Sequence, residues 1–174
     1  QPKNYNTTTF NNKGSDVSTK LNNPGNILYN PAFENFGAVK SKINATDSGK
    51  PFASFPSIEM GLKAREAQLF GEVDGTFSSK YYKPNTDIDK ALKTWSGGGY
   101  GVEIYPELRG KTLSQITAAE RKELQKRQIK RESGAMYKQI YKKEGGQFGG
   151  QVVEMDEDEV KQFLKAGGQL EFLD

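Results

Sequence analysis

Asn22-Asn23-Pro24-Gly25-Asn26-Ile27-Leu28-Tyr29-Asn30-Pro31 is the stretch on which the reading of this chain turns. Pro24-Gly25 fits the centre of a type II turn, where proline presets φ and glycine supplies the positive φ of the third position. Asparagines on either side can bond neighbouring backbone groups. Residue chemistry alone makes this a well-made loop.

The pattern around this stretch builds a fold. FGAVKSKI (36–43) and PFASF (51–55) predict a hairpin around the polar NATDSG. Ser57 predicts the N-cap of a helix through Phe70, with Ile58, Leu62 and Leu69 at helical spacing and Glu59 in the first turn. Thr86 predicts a second cap, and Ile88, Leu92 and Trp95 then fall at i, i+4 and i+7 on one face. SGGGYG (96–101) stops that helix. Thr117-Ala118-Ala119-Glu120 is a capping-box signature that opens a long basic helix towards Tyr141, with a break near Gly134. Upstream, residues 1–21 are Asn/Thr-rich, with Phe10, Val17 and Leu21 as core candidates, and read as an extended N-terminal arm. Downstream, glycines 145, 146, 149 and 150 mark a boundary, and 151–174 reads as a strand–helix–strand module. The expected class is α+β: a helical domain over 22–144 with a small β-hairpin lobe, an arm before it and the module after it.

Composition removes whole classes of chemistry. The 174 residues contain no Cys and no His, which excludes disulfide scaffolds, thiol catalysis, Cys-ligated zinc and every serine–histidine device. Carboxylates, Tyr or Lys must carry any catalysis. No apolar run approaches the ~20 residues of a membrane helix. Ser96–Gly101 follows a helix and lacks the Gly-Lys-Ser/Thr of a phosphate loop. Asp156-Glu157-Asp158-Glu159 lacks the alternating ligands and central glycine of a calcium loop, so neither metal nor cofactor is expected. The net charge of +3 is unevenly spread: residues 108–144 hold eleven Lys/Arg against four Glu, and 151–174 hold seven Asp/Glu against two Lys. Single-stranded nucleic acid would want stacking aromatics on the basic face. Tyr137 and Tyr141 are the only ones near Arg127, Lys130 and Arg131, so nucleic acid is not an expected partner.

The loop, followed by Phe36-Gly37, Pro51-Phe52-Ala53-Ser54-Phe55-Pro56-Ser57 and Glu59-Met60-Gly61-Leu62-Lys63-Ala64, resembles a family of phage virion proteins with an Asn-Asn-Pro-Gly-Asn-Ile motif. The helix ending at Trp95 resembles that family's Trp-ending helix. More distantly, the pattern is similar to lysozyme-superfamily glucosaminidases and lytic transglycosylases, whose Asn-Asn-x-Phe-Gly-Ile-Lys loop lies beside the glycan cleft. The resemblance covers about residues 22–100, and its motifs are moderately specific. It implies a lysozyme-like fold, a virion location, contact with peptidoglycan, and other virion proteins as partners through residues 1–21 and 151–174. The glycan-contacting candidates that follow are Asn23, Asn26 and Tyr29 of the loop. Trp95 and Tyr100 join them because aromatic rings stack on sugars, although Trp95 suits a core anchor better.

Active lysozyme-like enzymes place a catalytic Glu on a helix before the Asn-Asn motif, and this chain departs from them there. Residues 1–21 contain no Glu, with Asp16 the only acid. The chain opens QPKNYNTTTF, with neither a Met nor a secretory signal, so such a Glu can lie upstream of Gln1. Glu34, among aromatics in Phe33-Glu34-Asn35-Phe36, is the catalytic candidate if apolar burial surrounds it. Glu59 reads as a first-turn acid that suits the helix dipole. Glu132-Ser133-Gly134 looks like the segment around a lysozyme-like acid but sits on the wrong side of the loop motif. Unless the fold is permuted, Glu132 is expected to pair with Lys or Arg at i±4.

The expectation is a virion or injection-apparatus structural protein that keeps a lysozyme-like fold for assembly, or for binding peptidoglycan without cleaving it. An active virion-associated glycosidase or lytic transglycosylase is the alternative, and an unrelated interaction module is a third. The acidic 151–174 module has too few apolar side chains to offset the entropy of ordering its backbone alone. It is expected to dock, with the basic 108–144 region as its counterpart. A chain ending at Gly150 should therefore melt at a lower temperature or fail to assemble, whereas unchanged melting and assembly would remove the docking argument.

Overall fold

A computed structural model describes residues 16–141. The module expected over 151–174 and the first fifteen residues of the arm lie outside the described residues.

Helix α2 (Ile58–Asp74) organises the rest. Ser57 caps it, its Oγ accepting from the Met60 N–H at 3.2 Å. It runs four residues past Phe70 because Gly71 stays helical and the left-handed cap comes at Gly75, φ 70°. Two interior glycines cost such a helix about 0.5–1 kcal/mol each. Burial of Ile58, Leu69 and Phe70 returns about 1.5–3 kcal/mol each, so packing decides.

Three clusters meet on this helix. Leu69 and Phe70 join Ile88 and Leu92 of α3 (Ile88–Trp95) and Leu124 of α4 (Ala118–Glu132). Ile58 packs with Ile129 of α4 and with Met136 and Ile140 of α5 (Gly134–Tyr141). Ala64 closes onto Ile27, Phe33 and Phe55 of the loop and hairpin lobe. The apolar face expected of α3 is thus buried, though its cap is Asp87, whose carboxylate accepts from the Asp89 and Lys90 N–H groups. Thr86 instead accepts from the Lys83 N–H. The capping box of Thr117 and Glu120 is present at the start of α4. The α4–α5 break falls at Ser133, whose extended backbone (φ −150°) lets its Oγ accept from the Met136 N–H.

The hairpin pairs β1 (Val39–Asn44) with β2 (Pro51–Ser54) in antiparallel register, Val39 opposite Ser54 and Asn44 opposite Pro51. The loop adds itself to the other edge of β2: the Ala53 N–H donates to the Ile27 carbonyl at 2.9 Å, and the Tyr29 N–H to that of Pro51 at 2.8 Å. Short 3-10 turns at Pro31–Phe36, Val102–Ile104, Pro106–Leu108 and Leu113–Gln115 carry the remaining chain.

Two expectations need correction. Gly25 is not the left-handed residue of the turn; Asn22 (φ 50°) and Asn26 (φ 48°) are. Asparagine tolerates that region because its short side chain bonds locally. The Asn26 N–H still closes the turn onto the Asn23 carbonyl at 3.1 Å. Gly25 serves close approach instead, since a Cβ there would sit 3.1 Å from the Trp95 ring. The arm is also not extended at its described end. Val17–Lys20 form a helical turn, α1, capped by Asp16, with Ser18 and Thr19 buried.

The chain is α+β: the described residues form five helices and one two-stranded sheet. The loop is pressed onto α2 at Gly61, where a Cβ would lie well inside contact with the Asn22 backbone oxygen and 2.7 Å from Pro24 Cδ. Overpacking of this kind costs about 1–3 kcal/mol. Gly61→Ala should lose that much in urea unfolding; an unchanged midpoint would mean the loop is not seated there.

Candidate functional site

Residues 58, 62, 65 and 69 form one stripe along α2, and the third of them is an arginine. Arg65 is only 2% exposed. Its Nη1 donates to the Pro24 carbonyl at 3.0 Å and to Glu132 Oε2 at 2.9 Å. Its guanidinium lies 4.8 Å over the Trp95 ring. Its Nη2 is buried and has no partner among the described residues. One side chain therefore joins α2 to the loop, to the last residue of α3 and to the last residue of α4.

Glu132 completes the cluster. Its Oε1 accepts from Trp95 Nε1 at 2.8 Å and from the Tyr100 hydroxyl. Tyr100 reaches that position because the glycine loop turns back under α3. Ser96 Oγ accepts from the Tyr100 N–H at 2.9 Å and donates to its carbonyl at 2.8 Å. Gln128, one turn before Glu132, donates to the same phenol at 3.0 Å. Burial pushes the Tyr100 hydroxyl well up, and the Glu132 charge adds to that. Burial likewise pushes Tyr82, whose ring packs 5.9 Å from Trp95, up to about 12. Both phenols keep their protons and act as donors or apolar walls.

A second acid lies one residue away. Ser133 Oγ donates to Asp16 Oδ2 at 2.6 Å, tying α1 to the α4–α5 junction. Burial acts against the Asp16 charge, yet hydrogen bonds from Ser133, Thr19 and Ser18 together hold its carboxyl below the ordinary value.

The sequence candidates divide into two groups. Trp95 and Tyr100 are brought together, but as internal partners of Glu132. Tyr100 is 5% exposed and offers no face for a sugar. Trp95 is half-buried, with Arg65 over one face. Asn23 is fully buried: its Nδ2 donates to the Ile27 and Ala53 carbonyls, both at 2.9 Å, and its Oδ1 accepts from the Ile27 N–H at 2.8 Å. A glycan-contacting role for Asn23 and Tyr100 is thus replaced by a structural one, because their polar atoms are consumed in holding the loop and α3.

Asn26 is exposed and Tyr29 half-buried on the outer side of the loop. The Tyr29 hydroxyl donates to Glu34, which raises its pKa, and Lys40 Nζ sits 5.4 Å over its ring. Glu34 is exposed on its 3-10 turn, so the apolar burial expected around it is missing. The acid beside the loop is Glu132, and its partner is Arg65 rather than a residue at i±4. Arg65 escaped the sequence reading altogether. Its signal was a charged residue on an otherwise apolar helical stripe. Glu59 is the surface acid expected, 3.5 Å from Lys63 at i+4. Among the described residues no group of three Asp/Glu can hold a metal, and no helix is long and apolar enough to cross a membrane.

Asp16 makes a pH prediction. A carboxyl held below its unfolded value, near 3.8, adds stability above that pH and loses it as pH falls through the folded value. Asn keeps the cap and removes the charge. Asp16→Asn should therefore melt below the wild type at neutral pH, with the gap closing below about pH 4. A gap independent of pH would contradict this.

No protein-family model, curated protein or solved structure matches the chain.

Proposed function

We propose that this chain is a structural protein of a bacteriophage virion or injection apparatus, and that its described domain is a lysozyme-like module that engages peptidoglycan without cleaving it. The support is the state of Glu132. The acid beside the Asn22–Asn26 loop has both oxygens committed, one to Arg65 and the other to Trp95 and Tyr100. A general acid must instead bring a proton within hydrogen-bond reach of the glycosidic oxygen. Glycosidases also need a second carboxylate at a defined separation. Glu34, the other candidate, is exposed and bonded by Tyr29.

Glycan contact falls to the outer side of the loop. Asn26 offers an exposed amide for acetamido and hydroxyl groups, and Tyr29 an amphipathic ring edged by Lys40 and Glu34. Other virion proteins are the partners of residues 1–21 and 151–174.

One observation favours the second reading, an active glycosidase or lytic transglycosylase. Glu132-Ser133-Gly134 packs against the Asn-Asn-Pro-Gly loop through Arg65, although it follows that loop in the chain. An acid supplied from the far end of the domain is what a permuted lysozyme-like site would have.

A suspension of peptidoglycan separates the two. The purified protein should pellet with it, less so after Tyr29→Ala, and should not clear it between pH 5 and 8. Clearing abolished by Glu132→Gln would establish the permuted enzyme; clearing abolished by Glu34→Gln would name that acid instead.

A further inference from the structure

Charge counting sets the seven Asp/Glu of 151–174 against the whole basic stretch 108–144. Ion pairs narrow that match. Lys111 is held by Glu120 at 2.7 Å, Arg121 by Asp74 at 2.7 Å, and Arg127 by Glu123 at 2.9 Å and Glu107 at 3.6 Å. Glu132 is taken by Arg65. Lys122, Lys126 and Lys130 of α4 have no carboxylate in salt-bridge reach among the described residues. They stand at i, i+4 and i+8, one row along the helix, a spacing at which like charges repel. Lys122 and Lys130 are exposed and Lys126 is half-buried. The row borders the seam with α5. Lys126 Nζ lies 5.7 Å over the Tyr141 ring, Lys130 Nζ lies 5.7 Å over that of Tyr137, and the two rings are 5.3 Å apart. Those pairings run α4 and α5 antiparallel, so Tyr141, the last described residue, sits beside Lys126.

We propose that the acidic run Asp156-Glu157-Asp158-Glu159 docks within the same molecule on the Lys122–Lys126–Lys130 row and shields it from outside polyanions. The chain leaves Tyr141 at the row itself. Asp156 follows fifteen residues later, a tether that reaches about 50 Å at full extension, against a row about 12 Å long. A short tether gives an effective concentration on the order of mM, well above a second copy or a free polyanion at micromolar amounts. Single exposed ion pairs contribute little, so this tethered concentration, with four carboxylates meeting three ammonium groups, decides the occupant. Single-stranded nucleic acid is the poorer fit, because Tyr137 is buried and only Tyr141 keeps part of a ring for a base. Neither glycan nor cleavage enters this contact. The virion proteins proposed above as partners of 151–174 would compete with it, and one that takes up the segment uncovers the row.

Carbodiimide without added amine joins a lysine to a carboxylate it touches. In the dilute full chain, Asp156–Glu159 should be joined to Lys122, Lys126 or Lys130 about five times as often as to the exposed Lys42 and Lys90. The yield should not depend on protein concentration, and should fall from about 0.05 M to about 1 M salt as screening shortens. Joining between two molecules places the run on a second copy, and even joining to all lysines means no dock; either result overturns the proposal. The shield has its own readout in binding of oligothymidylate at low salt. Glu157→Gln/Glu159→Gln should bind it about fivefold more tightly than the wild type, and adding Lys122→Gln/Lys126→Gln/Lys130→Gln should abolish the gain. Asp47→Asn/Glu59→Gln makes the same change in net charge at exposed acids elsewhere. An equal gain there, or no gain in a cooperatively melting Glu157→Gln/Glu159→Gln, overturns the shield.

Discussion

A buried arginine sets the terms for this domain. The cost of taking a guanidinium out of water is several kcal/mol, and it is met only where counter-charge and hydrogen-bond acceptors are in place. Arg65 finds the Glu132 carboxylate, the Pro24 carbonyl and the Trp95 ring, each from a different segment. Loop, α3 and α4 are therefore positioned against α2 by the needs of one side chain, while the apolar clusters on either side supply most of the burial. Gly25 and Gly61 follow from the same constraint, since a Cβ at either position would hold the loop off the helix.

The functional reading follows from how closed that centre is. A glycan cleft needs polar groups turned outward, and here the polar atoms of Asn23, Tyr100, Gln128 and Glu132 are turned inward onto one another or the backbone. What remains on the surface of the loop is Asn26, Tyr29 and the neighbouring Glu34 and Lys40, the set to which the proposal assigns the glycan. Glu132 lies beneath, one residue from a serine that ties the end of the arm to the same junction.

Local patterns were legible in the sequence. The spacing of Ile88, Leu92 and Trp95 and the capping pair Thr117 and Glu120 gave helices that the structure contains, because both are governed by neighbours three to seven residues apart. The hairpin was placed to within a few residues for the same reason. The site was not legible in that way. Arg65 and Glu132 lie 67 positions apart, and Asp16 and Ser133 lie 117 apart, so periodicity gives each a face but no partner. The turn misled for a subtler reason: Pro-Gly implies a left-handed glycine, whereas here two asparagines take that conformation and the glycine makes room for Trp95. An arginine on the apolar stripe of α2 was the one visible sign of the buried centre.

The central claim, that Arg65 and Glu132 stabilise the domain as a pair, is tested most directly by a double-mutant cycle in urea with Arg65→Met, Glu132→Gln and both together. Each single change strands a partner and should cost about 3–5 kcal/mol, while the double change removes both charges and should cost less than the two single changes combined by at least about 2 kcal/mol. Additivity within about 0.5 kcal/mol would show two independent residues, and would contradict the account.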